Sequence, residues 1–129
     1  MSVVPTHSVL VVDDDDAIRE VALMALELVG GFDTQAASSG SQAWDLARAR
    51  VPDAVLLDVM MPGMDGPSLL ALLRSDPRTR SVPIIFLTAK ILPGDRRNFD
   101  DLDIAGIIAK PFDPMQLPGE ISRLLGWAA

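Results

Sequence analysis

At 129 residues the chain fits one domain, long enough to bury a sizeable core. Its balance of 49% apolar and 22% charged residues is that of a globular protein and excludes wholesale disorder. A formal charge of −7 argues against binding the nucleic-acid backbone, and the lack of cysteine excludes disulfides and thiolate metal sites. Met1 to Ser8 has no basic stretch followed by a long apolar run, so no signal peptide is expected. No apolar run approaches the roughly 18–20 residues that span a bilayer. The expectation is a soluble, cytoplasmic single domain with a core over about residues 8–125.

Short aliphatic runs alternate with helical patterns from end to end. Val9–Val12 reads as the first strand. Ala17–Val29 follows as a helix, with apolar residues at Ile18, Val21, Ala22, Ala25 and Leu28. Asp15 or Asp16 can cap it, and Gly30-Gly31 ends it. Thr34–Ala37 is the second strand. Ser41–Arg50 is a helix with Ala43, Leu46 and Ala47 on one face, stopped by Val51-Pro52. Ala54–Leu57 is a continuous apolar strand of the kind buried on both faces. Pro67–Ser75 opens with a first-turn proline and presents four leucines. Pro83–Leu87 is the fourth strand, and the charged segment Pro93–Ile104 is read as a helix. Gly106–Ala109 is the fifth strand. A last helix is expected from Asp113-Pro114, weakened by Pro118-Gly119 before Ile121–Leu125. Five strands alternating with five helices imply an α/β fold, a doubly wound parallel sheet covered on both faces. No linker or repeat suggests a second domain, and no output module is expected after the final helix.

The strands end on polar groups of different kinds. The first delivers Asp13 and Asp14, the third Asp58, the fourth Thr88 and the fifth Lys110. In an open α/β sheet, ligands bind beyond the carboxyl ends of the strands. Carboxylates gathered within about 4–6 Å raise one another's pKa unless a cation intervenes. Oxygen donors with room for water and phosphate favour Mg²⁺, with Mn²⁺ an acceptable substitute, over zinc or calcium. A metal bridging a carboxylate and an incoming phosphoryl group offsets their repulsion, so that Asp58 can attack phosphorus. Lys110 and the Thr88 hydroxyl would hold the phosphoryl oxygens. The backbone N–H groups after Asp58 and Thr88, the latter that of Ala89, would complete their shell.

The motifs Val-Val-Asp13-Asp14-Asp15, Leu57-Asp58-Val-Met-Met-Pro62-Gly63-Met-Asp65-Gly66, Leu87-Thr88-Ala89 and Ala109-Lys110-Pro111-Phe112 together resemble the receiver domain of bacterial response regulators. The resemblance runs from about Ser8 to Leu125. It implies a flavodoxin-like, CheY-like sheet in the order 2-1-3-4-5, which sets Asp13 and Asp14 beside Asp58. It also implies a stand-alone single-domain response regulator, a signalling phosphoacceptor rather than an enzyme. Asp58 would be the phosphoacceptor, with Asp14, Asp58 and the Met60 carbonyl on Mg²⁺ and Asp13 acting through water. Thr88 would be the switch hydroxyl, and Lys110 the phosphate-binding lysine before a cis bond to Pro111. The implied partners are a sensor histidine kinase or histidine phosphotransfer protein upstream and an unnamed protein downstream. A phosphorylation-dependent homodimer stays open.

Three positions vary from or within that pattern. Ile107 stands where receivers often carry an aromatic residue. Met60 and Lys90, each two residues past a site residue, border the water route to the phosphoryl group and are candidate modulators of phosphate lifetime.

Plainer readings compete residue by residue. Alone, Asp13–Asp16 is a solvated helix N-terminus complementing the helix dipole; Asp15, Asp16 and Asp65 are read as capping, surface or loop residues. The Met60-Met61 pair is read as loop packing, and His7 as a lone residue without a partner. The spacing of the acids does not fit an EF-hand loop. A haloacid-dehalogenase-type phosphatase would use Asp14-Asp-Asp16 and Thr88 but leaves Asp58 without a role. A receiver-shaped module that is never phosphorylated is the third reading.

Overall fold

Alternate residues of the central strands serve two different cores. The computed structural model describes residues 6–89 and 102–127. Its strands are β1 (Ser8–Val12), β2 (Asp33–Ala37), β3 (Ala54–Asp58), β4 (Ile84–Thr88) and β5 (Gly106–Ala109). All pair in parallel, in the order β2-β1-β3-β4-β5. Successive strand side chains point to opposite faces. Leu10, Val12, Val55, Leu57, Ile84 and Phe86 therefore pack on one side, and Val9, Val11, Leu56, Ile85 and Leu87 on the other. Two-sided burial explains why β3 and β4 are apolar without alternation up to their last residues.

The helices seal these faces. On the first side lie α2 (Gly40–Ala49), through Ala43 and Ala47, and α3 (Gly66–Ser75), through Leu69, Leu70 and Leu73. On the second lie α1 (Asp16–Met24), through Ala22, and α4 (Leu117–Leu125), through Leu117 and Ile121. Each fully buried Leu or Ile contributes about 1.5–3 kcal/mol by leaving water. The caps are local chemistry. Asp15 accepts from Ala17 and Ile18 N–H, Ser39 from Gln42 N–H, and Asp65 from Ser68 N–H. Gln42 in turn accepts from the Ser38 N–H at 2.7 Å, one residue before the cap.

The expected helix Ala17–Val29 is regular only to Met24. Ala25–Val29 is a π-helical turn, closed by Gly30 N–H donating to the Ala25 carbonyl at 3.2 Å. Gly30 then abuts α4 so closely that a Cβ there would stand 2.7 Å from Pro118 Cβ. The last helix also differs from expectation. Asp113 accepts from Met115 N–H and its carbonyl from Gln116 and Leu117 N–H in a lead-in turn, and the helix proper starts at Leu117. Pro118 lies in its first turn, where a missing N–H costs nothing, so it starts the helix instead of kinking it. Four α-helices stand among the described residues, against five expected. Most of the remaining expected helix, Pro93–Ile104, falls outside them, and Leu102–Ile104 is not helical.

His7 has partners after all. Its ring stacks on Trp127 at 3.8 Å and 5°, with Phe32 edge-on to both. Among the described residues no helix is long and apolar enough to cross a membrane.

Candidate functional site

Strand register assembles the polar groups. Val12 pairs with Leu57, Asp58 with Leu87, and Thr88 with Ala109. Asp13, Asp58, Thr88 and Lys110 thus follow one another along the carboxyl edge of β1, β3, β4 and β5, beside the place where the strand order reverses. The backbone runs on as if still in the sheet. Asp13 N–H donates to the Ala37 carbonyl, Val59 N–H to that of Leu87, and Lys110 N–H to that of Thr88 at 2.8 Å.

Three carboxylates and one ammonium meet there. Asp13, Asp14 and Asp58 each bring an oxygen to within 4.8 Å of the others. Asp13 is fully buried and Asp58 only 4% exposed, whereas Asp14 faces solvent. Lys110 Nζ lies 2.8 Å from Asp13 Oδ2 and 3.4 Å from Asp58 Oδ1. Asp13 Oδ1 accepts from Asp15 N–H at 2.9 Å, while Oδ2 faces the Lys110 ammonium. Asp58 Oδ1 accepts a long bond, 3.3 Å, from Met60 N–H.

This crowding sets the protonation. Burial, and then the charge of Asp13, push the Asp58 carboxyl up to about 6, against the pull of Lys110 and the Met60 N–H. At Lys110 burial works against the ammonium, but the contact and charge of Asp13, with those of Asp58, outweigh it and raise its pKa. One lysine against three acids leaves the cluster short of positive charge. An all-oxygen set of this span, with one ammonium facing its two buried members, suits a hard divalent cation.

The remaining expected residues fall around this centre. Thr88, 5% exposed, ends β4, and Ala89 beside it is exposed. The Lys110–Pro111 bond is cis. The Met60 side chain stands in solvent at 76% exposure, on the loop that leaves β3, while Met61 packs inward as loop packing predicts. Ile107 pairs with Phe86 and is half-buried against the core on the α2–α3 side. Lys90 lies outside the described residues.

Two residues that hold the site escaped sequence reasoning. Arg19 donates to the Asp13 carbonyl at 2.8 Å and pairs with Asp16, fixing the loop that carries Asp13 and Asp14. Its signal was the acid–arginine spacing on the first turn of α1. Gly66 lets that same β3 loop fold back. A Cβ there would stand 2.9 Å from Val59 Cα and 3.0 Å from the Asp58 carbonyl oxygen.

The response regulator receiver domain model matches residues 9–122, and the chain belongs to that family. It is 38% identical over 118 residues to Response regulator Rre1 of Synechocystis sp., an alignment covering 92% of this chain and 51% of that protein. The chain spans about half the length of the curated relatives it matches. The chemotaxis protein CheY4 of Vibrio cholerae shares its fold with a TM-score of 0.86 at 28% identity, over 93% of this chain and 99% of that one. The receiver domain of the Pseudomonas aeruginosa sensor histidine kinase PA1611, solved with a magnesium ion coordinated in its active site cleft, gives 0.83 at 32%, over 95% and 99%.

Proposed function

We propose that the chain is a phosphoacceptor of a two-component relay, taking a phosphoryl group from a phosphohistidine onto Asp58 and passing the change to a protein partner. The donor is a sensor histidine kinase or a histidine phosphotransfer protein, in the cytoplasm. The observation that carries this reading is the position of Asp58. It is a buried carboxylate at the end of the central strand, within 4.8 Å of two further acids and 3.4 Å from an ammonium.

Asp13, Asp14, Asp58 and the Met60 carbonyl would hold Mg²⁺, or Mn²⁺ in its place. The bound ion offsets the repulsion between Asp58 and the incoming phosphoryl group. An Asp58 oxygen forms the new bond to phosphorus as the bond to the imidazole nitrogen breaks, and the electron pair leaves with the imidazole. Lys110 then exchanges part of its contact with Asp13 and Asp58 for the phosphoryl oxygens. The Thr88 hydroxyl and the Ala89 N–H supply hydrogen bonds on the far side, drawing the end of β4 toward the site. Ile107, packed beside this strand, would respond by repacking in place of an aromatic swing. Met60 and Lys90 would set how readily water reaches the acyl phosphate.

Mass spectrometry after incubation with acetyl phosphate and Mg²⁺ tests the reading. A single phosphoryl adduct is expected on Asp58, absent from Asp58→Asn. Phosphoester turnover that survives Asp58→Asn and disappears in Asp14→Asn would overturn it in favour of a phosphatase. No adduct, and no fluorescence response to beryllofluoride, would leave a binding module.

A further inference from the structure

Asp14 is the exposed member of the acidic cluster, so the direction of its carboxylate depends on the backbone that bears it. Both peptide units flanking Asp14 are held. The unit before it presents the Asp13 carbonyl, which accepts from Arg19 Nη1 at 2.8 Å. The unit after it presents the Asp15 N–H, which donates to Asp13 Oδ1 at 2.9 Å. With both planes pinned, the two soft torsions of Asp14 are set, and with them the direction of its side chain. The second of these bonds lies within the acidic cluster, but the first reaches in from α1. Only 19% of the Arg19 side chain is exposed, and its other terminal nitrogen pairs with Asp16. A guanidinium holds two acceptors at once in a fixed fork, and its bonds are stronger than those between neutral groups.

We infer that Arg19 is a positioning residue that biases the site toward a small octahedral cation and against a larger one. This inference rests on Asp13, Asp14 and Asp58 as metal ligands of the proposed phosphoacceptor. Mg²⁺ takes oxygens in near-ideal octahedral geometry at about 2.0–2.1 Å. Ca²⁺ takes roughly 6–8 oxygens at longer distance and accepts both oxygens of one carboxylate. Releasing the Asp13 carbonyl frees Asp14 to shift and turn, so that Ca²⁺ gains ligand atoms while Mg²⁺ loses a ligand already in place. Asp16 acts behind Arg19, anchoring the other arm of the fork. Charge alone would act differently. Losing Arg19 removes a positive charge and strengthens both ions, and losing Asp16 removes a negative one and weakens both. The two ions carry equal charge, so neither change alters their ratio.

The test is competition against Mn²⁺, read from the free-ion signal in electron paramagnetic resonance. It gives the Mg²⁺ and Ca²⁺ affinities of the wild type, Arg19→Met, Asp16→Ala and Arg48→Met. Arg48 pairs with Asp45 at the same i,i+3 spacing in the last turn of α2, and serves as the control. The quantity compared is the preference for Mg²⁺ over Ca²⁺. It is expected to fall about tenfold in Arg19→Met, a size typical of partners that orient a metal ligand. Asp16→Ala should lower it too, by less, although its charge effect on the separate affinities is opposite. Arg48→Met should match the wild type. Asp16→Ala changes only an exposed side chain, so it carries the test even where Arg19→Met does not fold. An unchanged preference in both site variants, with affinities moving in opposite directions, would leave the two residues a charge effect only and overturn the positioning role. An equal fall in Arg48→Met would overturn it as well, since the loss would then be common to helix ion pairs. Mn²⁺ binding that is absent from the wild type, or unchanged in Asp58→Asn, would remove the metal site and the inference together.

Discussion

Replacing Asp58 by Asn should make the metal-free protein more stable at neutral pH. Asp58 titrates near 3.8 in an unfolded chain and at about 6 in the folded one, chiefly because burial and the Asp13 charge disfavour its ionised form. Between those values the folded state binds more protons than the unfolded state, so stability falls as pH rises through this window. The penalty is absent below about pH 4 and complete above about pH 7. The gap from 3.8 to about 6 corresponds to about 3 kcal/mol. Water at the open mouth of the cleft screens part of this, leaving about 1–2 kcal/mol. Asn keeps the shape and the acceptor for the Met60 N–H but carries no charge. In EDTA at pH 7.5, urea unfolding followed by circular dichroism should show Asp58→Asn more stable by that amount. The gain should vanish near pH 4. Mg²⁺ should stabilise the wild type far more than the variant. A variant equal to or weaker than the wild type at pH 7.5, or a gap that persists on acidification, would refute this account of the site.

Lys110→Ala leaves buried Asp13 without its ionic partner and should cost about 2–4 kcal/mol in metal-free urea unfolding; adding Asp13→Asn should recover most of that loss. Gly66→Ala drives a methyl group into the backbone of Val59 and should cost about 1–3 kcal/mol by the same measurement. Gly40→Ala would set its methyl group 2.8 Å from Met64 Cβ, an atom held by the backbone, and should cost a similar amount. Thr79→Val removes the donor that the Thr79 hydroxyl offers the Leu73 carbonyl at 2.6 Å inside the protein, and should lower stability by about 1–3 kcal/mol.

Features with a period or a polar signal were legible in the sequence. An apolar run ending in a charge marked β3 and Asp58, and the ends of the other strands marked Asp13, Thr88 and Lys110 in the same way. Caps such as Asp15 and Asp65 were equally local. Features made by contact across the fold were not legible. The apolar positions of Ala17–Val29 fit an α-helix and a π turn alike, and the Gly30 N–H bond to the Ala25 carbonyl that distinguishes them leaves no mark on the side-chain pattern. Pro118 looked like a breaker because nothing local says that the helix starts one residue before it. The stack of His7 on Trp127 joins opposite ends of the chain, which no window of sequence contains. The three carbonyls gathered by Arg74, those of Arg80, Val82 and Asp103, likewise come from two separate loops. In the site, residue types gave the chemistry, while register decided which charges touch.

Asp58 closes a strand that is bonded on both sides and buried at every residue. A charge arriving there strikes an anvil. The strand beneath it has nowhere to yield, so any displacement must be taken up by what is fastened on fewer sides: the loop carrying Met60, and β5 at the margin of the sheet. The rigidity of the receiving end would thus choose the direction of travel, outward across β4 to the sheet's free edge.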